Sequence, residues 1–112
     1  MATYANIYID QGSDFHTTFE VASERLDPVD FSGVDVRGQI RRTYMSETAY
    51  DFEIHVIDPS TGYFAVSLDS EVTSVMRSGR YVYDIYAIDQ GGGDSYKLIE
   101  GQVEIVPSVT RA

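Results

Sequence analysis

Val34-Asp35-Val36-Arg37-Gly38-Gln39-Ile40-Arg41 switches between an apolar or small residue and a polar one at every step. An extended chain points successive side chains to opposite sides, so this stretch reads as a strand with one dry face and one wet face. Val34, Val36, Gly38 and Ile40 take the dry face, and Asp35, Arg37, Gln39 and Arg41 the wet one. Such alternation belongs to antiparallel sheets that are covered on one side only.

The same period of two runs outward in both directions. Ile7 and Ile9 alternate with Asn6 and Tyr8 until Gln11-Gly12-Ser13 breaks the run. Phe15, Thr17, Phe19 and Val21 oppose His16, Thr18 and Glu20, after which Asp27-Pro28 and Ser32-Gly33 bracket a loop. Further on, Phe52, Ile54 and Val56 alternate with Asp51, Glu53 and His55. Asp58-Pro59-Ser60-Thr61-Gly62 has the composition of a hairpin loop, and Phe64, Val66 and Leu68 form the returning strand. Tyr81 to Ile88 is the longest apolar strand, paired with Tyr96 to Val106 across Gly91-Gly92-Gly93. Only Ser70 to Met76 departs: Ser70 as N-cap, Glu71 in the first turn, and Val72, Val75 and Met76 at helical spacing predict about one helical turn. About seven short strands with one corner helix predict an all-β, two-sheet antiparallel immunoglobulin-like β-sandwich, with residues 1–112 forming one domain.

Composition agrees with this architecture. A chain of 112 residues buries roughly 65 % of its unfolded surface, enough for a core without covalent staples. The staples are absent in any case, because the chain has no cysteine and therefore neither disulfides nor thiolate metal sites. Nine tyrosines and no tryptophan suit half-buried pleated surfaces and docking interfaces. The net charge of −10, with Lys97 the sole lysine, argues against nucleic acid, whose phosphates need clustered cations. No apolar run nears the roughly 20 residues of a membrane helix, and Met1 to Asp10 lacks the features of a signal peptide. A soluble chain made in the cytoplasm is the expectation.

Residues that carry chemistry are sparse. His16 and His55 fall on the polar sides of different strands, where metal or nucleophile chemistry would need them to converge with carboxylates. The glycine run is followed by Asp94-Ser95 and a strand, whereas a phosphate cradle needs Lys, Ser or Thr and a helix. Asp10, Asp14, Asp27, Asp30, Asp58, Asp89 and Asp94 sit at strand ends without the spacing of a calcium loop. The expectation is no enzyme, no cofactor and no metal. Tyr81, following Ser78-Gly79-Arg80, stands where immunoglobulin-like sandwiches carry a structural corner tyrosine, with Tyr83 as a second candidate. One feature points to binding. With Tyr81, Tyr83, Ile85 and Ala87 inward, Val82, Tyr86 and Ile88 point outward, and Leu98 on the last strand is expected beside Ile88. These four make an apolar stripe, the kind of surface that marks a partner site.

The motifs come in a telling order: I-x-x-G-S-D-F, then D-P-V-D-F-S-G-V-D-V-R-G-Q-I-R, D-P-S-T-G-Y-F-A-V-S-L, V-M-R-S-G-R-Y-V-Y-D-I-Y and G-Q-V-E-I-V-P-S-V-T-R. From Ile9 to Arg111 the chain resembles the small β-sandwich modules of tailed bacteriophages, found in baseplate upper proteins and long-tail-fibre connector proteins. The recurring family patterns D-L-T-G-x-x-x-x-x-Q-I-R and G-x-Y-x-Y-D are matched by Asp30 to Arg41 and by Gly79 to Asp84, with Phe31-Ser32-Gly33 in place of Leu-Thr-Gly. The resemblance implies a virion structural protein, a tail adaptor or connector at the baseplate or fibre junction. Its partners would be other virion proteins and further copies of itself, without nucleic acid or membrane, and it carries no catalytic residues over. Two other roles fit the residues: a capsid decoration protein, and a module gripping host-surface glycan through Tyr44 and Tyr50.

Overall fold

The computed structural model describes residues 3–20, 34–58, 62–89 and 95–110. The described chain forms β1 (Thr3–Tyr4), β2 (Ile7–Asp10), β3 (Phe15–Glu20), β4 (Val34–Arg41), β5 (Tyr50–Asp51) and β6 (Glu53–Asp58). β7 (Tyr63–Leu68), the helix α1 (Ser70–Val75), β8 (Gly79–Asp89) and β9 (Ser95–Val106) complete it. One sheet runs β1-β9-β8-β4-β5, with β2 also on β9, and the other runs β3-β7-β6. This is a two-sheet, immunoglobulin-like sandwich. Val21, Asp27-Pro28, the first part of the Asp30 to Arg41 motif, Pro59 to Thr61 and the glycine run lie outside the described residues.

Nine strands are described where seven are expected, because a short strand precedes the first expected one and another expected strand is broken. The unexpected one is β1, separated from β2 by Ala5-Asn6. The broken one changes sheet at Phe52, so that β5 pairs with β4 while β6 pairs with β7. Pairing is not wholly antiparallel, which corrects the expectation: β1 and β2 both run parallel to β9, with Ile7 level with Val103 and Ile9 with Ile105. β2 and β9 end together at the corner where the chain crosses into β3, and that shared direction makes their pairing parallel.

The period of two becomes burial. Val36, Ile40, Tyr81, Tyr83, Ile85, Ala87, Val103 and Ile105 from one sheet meet Phe64, Val66 and Leu68 from the other, all buried. Each such aliphatic or aromatic side chain contributes about 1.5–3 kcal/mol on leaving water. Gly38 makes room in this layer, since a Cβ there would lie 3.0 Å from the Phe52 ring and 2.9 Å from Ile85. Phe52 instead packs edge-on to Tyr83, with ring centres 5.9 Å apart.

The helix differs from its sequence reading in two ways. Asp69, not Ser70, is the N-cap residue, and no side chain of its own caps it. The Ser70 N–H is taken by Asp14 Oδ1 at 2.7 Å, from a turn 56 residues away. Val75 is exposed, whereas Thr73 is buried, its hydroxyl donating to the Ser13 carbonyl at 2.8 Å and accepting from the Gly12 N–H at 3.1 Å. The helix ends at Met76, which is extended and buried, so helical spacing does not govern where Met76 points. Gln11 Nε2 donates to the Met76 carbonyl at 2.8 Å and ties the helix end to the same turn.

At this corner the Tyr81 hydroxyl donates to the Arg77 carbonyl at 2.8 Å, bracing the link between α1 and β8. Replacing Tyr81→Phe should lower unfolding free energy by about 1 kcal/mol, the net worth of such a bond, with the transition in urea remaining a single step. An unchanged urea midpoint would show that the hydroxyl does not brace the corner.

Candidate interaction surface

The outer side of the long β8–β9 hairpin is built by register. Tyr86 lies level with Arg37 on β4 and Lys97 on β9, and Asp84 lies level with Gln39 and Glu100. Val82 sits between Arg41 and Gln102, and Ile88 between Asp35 and Ser95. Val82 and Ile88 are half-buried and Tyr86 is 37 % exposed. Lys97 places Nζ 5.8 Å from the Tyr86 ring centre and 3.6 Å from Glu100, while Arg37 is paired with Asp35 at 2.5 Å on its own strand.

Leu98 does not belong to this face, which corrects the expected stripe. Its side chain is 3 % exposed, and Ile99 beside it is buried as well. The cause is an irregularity in the ladder: Ile85 pairs with Ile99 but Tyr86 pairs with Lys97, so Leu98 is left without a partner on β8. An extra residue of this kind interrupts strict alternation, and two consecutive side chains enter the core. The outer face therefore lacks Leu98 and holds Tyr86 and Ile88 as neighbours, with Asp84 between them and Val82.

Electrostatics on this face centre on Asp84. Burial among its neighbours holds its carboxyl above the usual carboxylate range, Lys97 and Arg41 pull it down, and Glu100 pushes it up. A carboxyl raised in the folded state favours folding on the acid side of its window, and that contribution is lost as pH rises through the raised value.

Tyr83 lies inside, on the other side of β8. Its hydroxyl donates to the Ala5 carbonyl at 2.5 Å, at the break between β1 and β2. The carbonyl reaches it because residue 101 is glycine: a Cβ there would lie 2.0 Å from the Ala5 oxygen. The Ala5 N–H donates to the Glu100 carbonyl and the Gln102 N–H donates to Asn6 Oδ1, so the amino-terminal strand is fastened on both sides of the break. No sequence pattern announced this contact, although an isolated glycine inside a strand does signal a close approach of backbone.

The remaining candidates do not converge. His16 and His55 are exposed on β3 and β6, with β7 between them. Among the described residues no group of three or more His, Asp or Glu side chains could hold a metal ion. Tyr44 is exposed in the loop after β4, while Tyr50 is half-buried edge-on to Tyr81 at 6.5 Å, so they do not form a matched pair of stacking rings. No described helix is long and apolar enough to cross a membrane.

No family model matches the chain, and no curated protein is detectably similar to it. Among solved structures, InlP of Listeria monocytogenes is similar over 93 % of this chain and 27 % of its own, at 14 % identity and TM-score 0.48. A family 123 glycoside hydrolase from Clostridium perfringens, described for glycolipid glycan hydrolysis, is similar over 97 % of this chain and 24 % of its own, at 11 % identity and TM-score 0.46. AggA, the major subunit of aggregative adherence fimbriae type I from Escherichia coli, is similar over 96 % of this chain and 91 % of its own, at 9 % identity and TM-score 0.45. The chain thus spans about a quarter of the length of the first two.

Two outcomes separate the residues of this region. Leu98→Ser should cost about 2–5 kcal/mol and lower the melting temperature, as truncations in a packed core do, whereas Tyr86→Ser should leave melting within about 0.5 kcal/mol of the parent. Equal effects would refute the bulged register. Burial, reinforced by Tyr4, lifts the Tyr83 phenol to about 12. Because the unfolded chain ionises near 10, the folded protein binds the extra proton between these values, and stability should fall as pH rises from about 10 to about 12. Ultraviolet titration should show a tyrosine step near 12, and Tyr83→Phe should remove it.

Proposed function

We propose that the chain is a structural adaptor of a tailed-bacteriophage particle, placed at the baseplate or tail-fibre junction and working through protein–protein contacts. The observation that carries this reading is the ordered set of motifs, above all the Asp30 to Arg41 pattern ending in Q-I-R at Gln39 to Arg41, and G-x-Y-x-Y-D at Gly79 to Asp84. The two motifs are neighbours in the sheet: Gly38 to Arg41 pair with Val82 to Ile85, Gln39 facing Asp84 and Ile40 facing Tyr83. A further support is a sheet edge that the described strands leave partly uncovered. β5 covers β4 only at Gln39 and Ile40, with Phe52 N–H reaching the Gly38 carbonyl, so no described strand borders Val34 to Arg37 on that side. Unpaired strand edges are a common means of joining one β module to another.

Tail and capsid fractions of purified particles, compared by quantitative mass spectrometry, should contain this chain in the tail fraction at a constant copy number. Recovery with the capsid would replace the adaptor role with decoration, and absence from both fractions would overturn the virion reading.

A further inference from the structure

Among the described residues each sheet has two edges, and the edges differ in how far they resist a further strand. In the larger sheet one edge is β1 and β2, separated by Ala5-Asn6, and the other is β5, which is two residues long. In the smaller sheet β6 is an edge whose ladder shifts register between Val56 and Asp58. Breaks, short strands and bulges of this kind discourage strand addition. β3 has none of them. Its pairing with β7 runs without a shift from Phe15–Leu68 to Glu20–Tyr63, and it contains no Gly, Pro, Lys or Arg. No described strand borders it on the side away from β7.

Every second residue of an antiparallel edge strand aims its N–H and C=O away from the neighbouring strand, so this side of β3 is a row of hydrogen-bonding groups. The apolar rim beneath is incompletely covered as well. Phe15, Thr17 and Phe19 face inward and the two phenylalanines pack against the core, yet all three are only half-buried. They border an open cleft together with Ala5 and Ile7.

The order of residues along β3 fits its own copy. An identical strand pairs antiparallel about a two-fold axis, and each side chain keeps its side of the sheet when the axis passes through a residue. With the axis at Thr18, the two Thr18 side chains face each other on the exposed side, and His16 of each copy lies level with Glu20 of the other. On the inner side Thr17 lies level with Phe19, so that Phe19 of each copy extends over the half-covered rim of its mate. Threonine facing threonine and a histidine facing a carboxylate are favourable cross-strand neighbours. An axis at Thr17 would instead set Glu20 against Asp14, like against like. We propose that β3 is a docking edge for a second copy of the chain, the two strands pairing antiparallel about Thr18 so that the smaller sheets join into one. The edge is independent of the virion reading, since it needs no other particle protein.

Sedimentation velocity of the full chain should show a reversible monomer–dimer equilibrium. Thr18→Lys and Thr18→Glu each set like charges against one another at the axis and should weaken the dimer by about tenfold or more. An equimolar mixture of the two should restore it. Circular dichroism should show both variants folded, as expected for an exposed site. Because the chain has no cysteine, a single introduced thiol reports on the axis directly. Residues facing each other in an antiparallel pair have Cα atoms about 4.5–5.5 Å apart, within disulfide reach. Under mild oxidation Thr18→Cys should therefore give a linked dimer at least about tenfold faster than His55→Cys, a control at an exposed position on β6. Three results would overturn the proposal: a parent chain that stays monomeric at the highest concentration reached, a dimer indifferent to both charged variants, or a disulfide that forms no faster at position 18 than at position 55.

Discussion

The structure depends on one dry layer, formed where alternate side chains of β8 close against the second sheet. Tyr81, Tyr83, Ile85 and Ala87 all point into it, flanked by Ile40 from β4 and by Val103 and Ile105 from β9. Without a disulfide or a thiolate metal site, apolar burial has to outweigh the entropy of ordering the chain. β8 is the strand that both long neighbours flank, so an error in its register would turn the dry side of its sheet toward water.

The tyrosines of this strand join the core to its boundaries. A buried phenol keeps its ring among apolar groups and still needs a partner for its hydroxyl. Tyr81 finds one in the backbone leaving α1, and Tyr83 finds one in the break of the first strand. The second contact ties the amino-terminal segment to the centre of the sheet across β9, and it depends on the missing Cβ of residue 101. The amino-terminal segment and the link leaving α1 are thus both secured by the central strand β8.

Surface chemistry follows from the same alternation. The residues between the inward ones on β4, β8 and β9 form a charged outer face, in which Tyr86 is held between Arg37 and Lys97. The adaptor reading draws on surfaces of this kind rather than on a cleft lined with reactive groups.

Alternation of polar and apolar residues determined by itself that the chain forms strands, which side of each is dry, and that β8 and β9 pair as a hairpin. These are local properties, because an extended backbone dictates the direction of each neighbouring side chain. Tertiary structure alone decided the rest: the parallel docking of β1 and β2, the capping of α1 by Asp14, the burial of Thr73, and the inward turn of Leu98. Each of these depends on a contact between residues far apart in the chain or on a mismatch in length between paired strands. A period of two carries no information about either.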